Sequence, residues 1–418
     1  MLVFKFGGAS VKDAEGLENL AEVVKKYDTK QLLIVVSAMG KTTNALEKLV
    51  HAYFNKDAMV IQIFEEIKQY HETILNQLFE PMHPVFDEVA NTFVEIDWII
   101  EEEPQDSFDF IYDQIVSIGE LVSTRIVNSY LNKAGIKSQW LDARGYIHTD
   151  NTYREGKVEW DKTRKNITEG IPKLLEKGLL VTQGFLGGTS ENFTTTLGRE
   201  GSDYSAAIFA ACLGAESVTT WKDVPGILNA DPKHFNDTVK FDELSYNEAI
   251  EMTFYGASVI HPKTIKPLQN ALIPLLVKPF SNPLAQGTII KESATNNFIK
   301  PIIILKQNQI LLSISAKDYS FISENNLSEI FMFFAKNQLK INMMQTSALS
   351  FSVCLDFVEL KFKYLLNSLK ERYKLKYNSS LTLITLRHYS DNNVKDLTEN
   401  KTILLEQKSR NTIQLVVG

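Results

Sequence analysis

The sequence has few cysteines, no long apolar run and no excess of positive charge, and each absence excludes a class of protein. Only Cys212 and Cys354 occur among 418 residues, and both lie in apolar contexts typical of core packing rather than of a disulfide or a metal pair. No run approaches the ~20 apolar residues of a membrane helix. The net charge of −7 argues against nucleic-acid or anionic-membrane partners. Since the first residues also lack a signal-peptide pattern, we expect a cytoplasmic protein.

The sequence also lacks the pattern of a dedicated metal site. Its seven histidines include no pair spaced four residues apart, and no cluster of carboxylates accompanies them. The hydrophobic fraction of 44% is sufficient for large cores. With ~150 residues per domain, the length predicts two or three domains.

Strand and helix patterns alternate along the first 290 residues. Apolar or β-branched runs predict strands at residues 31–37, 138–141, 178–182 and 217–221. The segment from Thr42 to about Arg125 is rich in helix formers and aromatic residues, and it predicts a helical layer or lobe. Such alternation is typical of an α/β fold with helices on both faces of a sheet.

The composition changes near residues 293–300, where polar turn residues predict a domain boundary. Beyond it the predicted order is β-α-β-β-α, with strands at 309–316, 340–344 and 350–355 and helices at 327–337 and 357–373. The last forty residues predict mainly strands. Between those strands, residues 392–400 are too few and too polar to predict a packed helix.

Two glycine-rich stretches follow predicted strands. The first is Lys5-Phe-Gly-Gly-Ala-Ser10, with a helical pattern beginning at Val11. Bare glycine amides, a helix N-terminus and a lysine suit phosphate, although such a turn alone more often merely joins a strand to a helix. The second stretch, residues 183–207, contains Arg199, whose planar guanidinium suits a carboxylate. It also places Ser202 and Asp203 at the cap of a predicted helix. A plain N-cap is the simpler interpretation of Ser202.

Together these stretches resemble the amino acid kinase superfamily and, within it, the aspartate kinases. Further segments match in the expected order: Ser117–Thr124, Leu141–Arg144 with Thr149-Asp150, Trp221–Lys233, Ser245–Ala249, Tyr255–Thr264 and Pro274–Gly287. The resemblance covers residues 1 to about 290. The C-terminal part resembles the paired ACT regulatory domains of aspartate kinases.

The resemblance implies both a fold and an activity. The fold is an amino acid kinase-like sheet sandwiched by helices in residues 1–298, with a helical insertion near 50–110. An α+β, ferredoxin-like ACT domain follows in 299–375, and a shortened second ACT-like unit in 376–418. The implied reaction moves the γ-phosphoryl of ATP onto the side-chain carboxylate of L-aspartate, with Mg²⁺ on the nucleotide phosphates and Asp203 as its candidate protein contact. This is the first step of lysine, threonine and methionine biosynthesis, and the C-terminal half is expected to form a homodimer.

The resemblance also implies the site residues. Lys5 would stabilise the transferring charge, Arg199 the acid of the substrate and Glu120 its ammonium; no general base is needed, because the acceptor carboxylate is ionised at pH 7. The implied catalytic residues are Lys5, Gly7, Gly8 and Asp203. The implied substrate-binding residues are Thr43, Glu120, Arg199 and Ser202. The implied nucleotide-binding residues are Ser10, Trp221, Lys222, Asp223, Leu228, Lys233 and Ser258.

Several residues depart from the family pattern. Glu200 stands where most members have glycine, and its carboxylate is either solvated outward or joined to the ammonium contact. Ser258 stands where many members have a lysine that reaches the nucleotide phosphates. Lys222, in place of the usual threonine, or Lys263 would supply the missing charge, although a solvated surface lysine is the simpler interpretation of either.

The predicted regulatory strand departs as well. Residues 341–347 resemble the ACT strand that binds an amino-acid effector, with Asn342, Thr346 and Ser347 as candidate regulatory residues. Asn342 stands where aspartate is common and Ala348 where glutamate is frequent. We therefore expect weak or absent inhibition by lysine.

Two alternatives remain open. One is a kinase of the same superfamily for another substrate: acetylglutamate, glutamate, carbamate or uridylate. The Gly-Glu-x-x-Ser segment and the ACT-like region favour aspartate over these. The other is a non-catalytic amino-acid sensor of the same fold, which Glu200 and Ser258 keep open. A fused homoserine dehydrogenase is not expected, since no sequence follows Gly418.

Overall fold

The chain divides into two compact units. The computed structural model describes residues 1–27, 31–257, 260–292, 300–318 and 320–418. The first unit consists of the described residues within 1–227, 240–250 and 259–296. The second unit consists of those within 228–239, 251–258 and 297–418. Ser258 lies outside the described residues. Within the described ranges, none of the helices has both the length and the apolar character needed to cross a bilayer.

An eight-stranded sheet forms the centre of the first unit. Its strands are β1 (Leu2–Phe6), β2 (Leu32–Val36), β3 (Ser138–Leu141), β4 (Leu179–Gln183), β7 (Ser217–Lys222), β8 (Glu243–Ser245), β9 (Leu275–Pro279) and β10 (Thr288–Lys291), in the order β3-β4-β2-β1-β7-β9-β10-β8. The first six in that order are parallel, β10 is antiparallel to β9, and β8 is parallel to β10. A separate hairpin consists of β5 (Leu186–Gly188) and β6 (Thr194–Thr196). Every residue of β2 and β4 is buried, as their continuous apolar runs predict.

Helices surround this sheet. They are α1 (Ala14–Val24), α2 (Thr42–Phe54), α3 (Val60–Leu78), α4 (Val85–Ile100), α5 (Phe108–Val116), α6 (Ile118–Lys133), α7 (Trp160–Leu175), α8 (Gly201–Leu213), α9 (Tyr246–Tyr255) and α10 (Pro262–Asn270). Helices α2 to α6 are the predicted helical lobe, and their aromatic residues, such as Phe64 and Phe93, belong to the core shared with the sheet. The expected α/β fold is confirmed.

Two helix starts differ from the prediction. A short 3-10 turn, Gly8–Val11, follows β1. Helix α1 begins only at Ala14, because the Asp13 carboxylate accepts a hydrogen bond from the Gly16 amide at 2.9 Å and so caps the helix. Helix α8 has Glu200 as its N-cap, so Ser202 and Asp203 lie in its first turn rather than at the cap.

A six-stranded antiparallel sheet forms the second unit. Its strands are β11 (Ile302–Ala316), β12 (Ile341–Thr346), β13 (Ser350–Asp356), β14 (Tyr373–Arg387), β15 (Ile403–Lys408) and β16 (Thr412–Val417), in the order β12-β13-β11-β14-β16-β15. The helices are α11 (Glu324–Lys336), α12 (Glu359–Leu369) and α13 (Asp391–Thr398).

The two long strands β11 and β14 run through both halves of this sheet. Their pairing extends from Ile302–Arg387 to Ala316–Tyr373, with an irregularity near Gln309. Ile310 packs in one core cluster with α11 and α12, whereas Ile303 packs in another with β16 and α13. The strands β11 and β14 therefore contribute to both core clusters of this sheet.

Helix α13 lies where the sequence did not predict a packed helix. Ser390 and Asn393 form a capping box that satisfies the first amides of this eight-residue helix. No residue of α13 is fully buried, yet Val394 and Leu397 contact the cluster around β16. Capping chemistry and two apolar contacts are thus sufficient for a short polar helix.

Candidate active site

The predicted catalytic residues gather at the carboxyl edge of three adjacent strands. Strand β1 lies between β2 and β7, with Lys5 opposite Val35 and Thr220. Ligands of open α/β sheets bind beyond the carboxyl ends of the strands. Gly7 after β1, Ser37 after β2 and Lys222 at the end of β7 all lie at this edge.

Lys5, Asp203 and Lys222 form a buried charge cluster. The Lys5 ammonium lies 2.9 Å from one Asp203 carboxylate oxygen, and the Lys222 ammonium lies 3.7 Å from the other. Burial by itself would raise the pKa of Asp203, but the two lysines outweigh it and hold this pKa below its usual value. Two cations share one carboxylate, so the cluster has a surplus of positive charge suited to phosphate.

The glycines after β1 leave space beside this cluster. A Cβ added at Gly7 would have only the Lys5 ammonium, at 3.5 Å, near it, whereas one at Gly8 would lie 2.7 Å from the Ala38 carbonyl oxygen. Gly8 is therefore needed for the close approach of two turns. Its carbonyl oxygen accepts a hydrogen bond from the Gly40 amide at 3.0 Å. Gly7 presents a bare backbone face to the lysine.

Glu120 is a buried carboxylate on α6. One of its oxygens accepts a hydrogen bond from the Ala38 amide at 3.1 Å, and among the described residues the other has no partner. Burial raises the pKa of Glu120 to about 8, although the Ala38 hydrogen bond and the charge of Lys5 act in the opposite direction. An incoming cation would complete this site.

The turn before α8 carries Arg199, the residue expected to bind the carboxylate of the amino acid, and Glu200. Glu200 has φ +53°, in the left-handed region that favours glycine, which explains why glycine suits this position. Its Oε2 is buried and has no hydrogen-bond partner in the described part of the chain, so that oxygen is not solvated outward. Arg199 is exposed. A Cβ on Gly184 would lie 2.4 Å from Ser202 Cβ, so Gly184 allows the start of α8 to approach β4.

The predicted nucleotide residues do not all share this edge. The Ser10 hydroxyl donates to the Trp221 carbonyl oxygen at 3.5 Å. The Trp221 ring is fully buried and contacts Phe4 and Phe6, so its side chain packs in the core and does not line an open site. Asp223 is exposed.

The remaining predicted residues belong to other parts of the chain. Leu228 and Lys233 belong to the second unit. Thr43 is half-buried in the first turn of α2. The two cysteines are buried and free, as predicted.

Sequence reasoning missed Asp113 on α5. Its buried carboxylate accepts hydrogen bonds from the Arg154 amide at 2.8 Å, the Thr196 amide at 2.9 Å and the Thr196 hydroxyl at 2.7 Å. Burial raises the pKa of Asp113 to about 6. The residue fixes β6, three residues before Arg199. The available signal was its position within a largely apolar segment, seven residues before Glu120.

The regulatory candidates lie on β12 in the second unit. The Asn342 amide group donates to Gln309 Oε1 at 2.9 Å and to Asp356 Oδ1 at 3.0 Å, and its oxygen accepts from the Lys306 ammonium at 2.8 Å. Thr346 and Ser347 are exposed. The side chain of Asn342 is thus fully engaged within the chain.

Comparisons with known proteins agree with this geometry. The sequence model of the amino acid kinase family matches residues 1–279. The chain is 32% identical over 358 residues to the lysine-sensitive aspartokinase 3 of Escherichia coli K12, covering 85% of this chain and 78% of that protein. The crystal structure of E. coli aspartokinase III in complex with aspartate and ADP (R-state) matches with a TM-score of 0.86 and 27% identity, over 100% of this chain and 96% of that one.

The same E. coli enzyme in complex with lysine and aspartate (T-state) matches with a TM-score of 0.84 and 27% identity, over the same shares of both chains. The resemblance inferred from the motifs is thereby confirmed over the catalytic and the C-terminal parts of the chain. The chain belongs to the amino acid kinase family, and within it to the aspartokinases.

Proposed function

We propose that this protein transfers the γ-phosphoryl group of ATP to the side-chain carboxylate of L-aspartate. The observation that carries the proposal is the Lys5–Asp203–Lys222 cluster, with the unpaired Glu120 carboxylate within electrostatic reach of Lys5. The cluster suits phosphate and Glu120 suits an ammonium. An amino acid and a nucleoside triphosphate together present both groups.

The transfer needs alignment and charge neutralisation rather than proton removal. A carboxylate oxygen of aspartate attacks the γ-phosphorus, the bond to the bridging oxygen of ADP breaks, and ADP leaves with that electron pair. The acceptor is already ionised at neutral pH. Lys5 therefore acts on the charge that develops at the transferring group, and the bare face of Gly7 leaves room for it.

Recognition of the amino acid would rest on two opposite charges. Glu120 would bind the ammonium, since it is buried and has one unpaired oxygen. Arg199 would bind the carboxylate of the amino acid, because a guanidinium binds that group with two parallel hydrogen bonds. Glu200 stands next to Arg199 with a buried oxygen, and we propose that it adds to the ammonium contact.

Lys222 would replace the lysine that many family members have at the position of Ser258. Lys5 and Lys222 lie on the same face of the sheet, because Lys5 pairs with Thr220 and side chains alternate along β7. Both ammonium groups contact Asp203. The second positive charge at the phosphates would then come from the end of β7.

Mg²⁺ would arrive as part of the nucleotide substrate. No group of three or more histidine, cysteine or acidic side chains able to hold a metal occurs among the described residues. Asp203, the acidic residue of the charge cluster, is already bound to two lysines. The residues present therefore suit a MgATP complex rather than a metal held by the protein.

Trapping of the product tests this function directly. The protein is incubated with MgATP, L-aspartate and hydroxylamine, which converts an acyl phosphate to a coloured hydroxamate. We expect hydroxamate from aspartate and little from N-acetylglutamate or glutamate. Release of ADP is measured for UMP, since its product is a phosphoanhydride that hydroxylamine does not trap. Absence of product with every acceptor, together with measurable aspartate binding, would favour the amino-acid sensor.

The second unit would mediate assembly and control. Its edge strand β12 exposes Met344, and Phe331, Met332 and Leu360 on its helices are also exposed. Exposed apolar groups next to an open strand edge favour association. Because closed two-fold dimers are the commonest homo-oligomers, we propose a homodimer formed through this unit, with an amino acid as its effector.

A further inference from the structure

A cavity of about 360 Å³ opens between α2 and α3 in the first unit. This volume lies in the range of small-molecule sites. The proposed reaction uses none of the helix faces that form it. It is lined by Lys41, Thr42, Ala45, Lys48, Ile63, Glu66, Ile67 and Tyr70.

The spacing of these residues explains the cavity. Ala45 and Lys48 lie three residues apart on one face of α2, and the N-cap residue Lys41 lies four residues before Ala45. The lining residues of α3 recur in the same way from Ile63 to Tyr70. The small side chain of Ala45 stands midway along the first stripe and leaves the gap between the helices.

The walls differ in charge. Lys41 and Lys48 are exposed, and no carboxylate lies within ion-pair distance of either in the described part of the chain. Glu66 stands on the opposite helix, where it accepts a hydrogen bond from the Gln62 amide at 3.0 Å. Ile63 and Ile67 form an apolar floor between the charges.

We propose that this cavity binds a free α-amino acid with an aliphatic side chain. Its carboxylate would pair with a lysine of α2, its ammonium with Glu66 and its side chain would pack on Ile63 and Ile67. A zwitterion matches the two signs of charge, and the isoleucines select against polar side chains. The site is distinct from the Lys5–Asp203–Lys222 cluster.

Tyr70 connects this cavity to the catalytic turns. Its hydroxyl donates to the carbonyl oxygen of Lys12, directly after the 3-10 turn that contains Gly8. It also lies against Gly40, where an added Cβ would be 2.6 Å from the hydroxyl. An occupant that binds one position of Tyr70 better than another would therefore change the turns beside Lys5. This regulatory consequence rests on the proposed function.

Calorimetric titration of the intact protein with L-leucine tests the proposal. We expect saturable binding that weakens at least tenfold in Lys48→Glu and in Ala45→Phe, which fills the gap. The matched control is Lys173→Glu, an exposed lysine on α7, which should bind L-leucine as the wild type does. 4-Methylpentanoate, which lacks the ammonium, should bind at least tenfold more weakly than L-leucine.

Several results would overturn the proposal. These are no binding of L-leucine, unchanged binding in both cavity variants, or equal binding of 4-methylpentanoate. Hydroxamate formation is measured on the same samples. A protein that turns over aspartate but ignores L-leucine refutes this inference alone, whereas one that binds L-leucine without any turnover refutes the proposed function instead.

Discussion

In the first unit the Glu120 carboxylate is buried with one oxygen unpaired, whereas in the second unit both polar atoms of the Asn342 amide have partners. A buried polar group without a partner is costly, and it gains most when a ligand supplies that partner. A polar group already satisfied gains little. The first unit is therefore prepared for an ammonium, and β12 is not.

The largest expected effect tests the charge cluster beside Glu120. Lys5→Met removes the ammonium that neutralises charge on the transferring group, and we expect turnover to fall by about 10²–10³-fold or more. Hydroxamate formation measures this, with circular dichroism to show that the fold persists. Lys173→Met is the control for loss of a lysine. Near-normal turnover in Lys5→Met would remove Lys5 from the mechanism.

The next effect concerns the second cation. Lys222→Ala should lower kcat/KM for ATP by about 10- to 100-fold, the equivalent of one lost hydrogen bond to a charged group. Ser258→Lys should partly restore it. Lys263→Ala is the comparison, since Lys263 is the other candidate for this charge. A strong effect in Lys263→Ala with an inert Lys222→Ala would reverse the assignment.

A smaller effect should follow from loosening the Arg199 turn. Asp113→Asn replaces one acceptor oxygen by an amide donor that faces backbone N–H groups, at a cost of about 1–3 kcal/mol. We expect the KM for aspartate to rise more than the KM for ATP. Thr196→Val, which removes only the hydroxyl donor, should have the same direction and a smaller size. Equal changes in both KM values would indicate a general loss of stability.

The smallest effect is expected in the second unit. The ammonium of Lys306 already contacts the Asn342 oxygen, so an effector's ammonium would meet a resident cation at this position. Lysine should therefore inhibit by less than the ~5-fold lower limit of typical allosteric coupling. Titration of the hydroxamate assay with lysine, threonine and methionine measures this. Strong inhibition by micromolar lysine would show that other residues form an effector site.

Sequence motifs predicted the members of the charge cluster but not the long-range contacts that hold the neighbouring segments. Lys5 and Lys222 stand at strand ends, which periodicity can locate. By contrast, Asp113 meets Thr196 across 83 residues and Tyr70 meets Lys12 across 58, and such contacts depend on tertiary packing. The full lengths of β11 and β14 were not predicted for the same reason, since strand pairing is non-local.

The state of Glu120 gives the most direct test of this account. Below pH 8 its raised pKa keeps the free carboxyl protonated, and a bound ammonium lowers that pKa, so aspartate binding should release a proton. Calorimetry of aspartate binding at pH 7 in buffers of different ionisation enthalpy measures this release. We expect net proton release in the wild-type protein, with none and much weaker binding in Glu120→Gln. Unchanged aspartate binding in Glu120→Gln, or proton uptake in the wild type, would contradict the central claim that Glu120 receives the substrate ammonium.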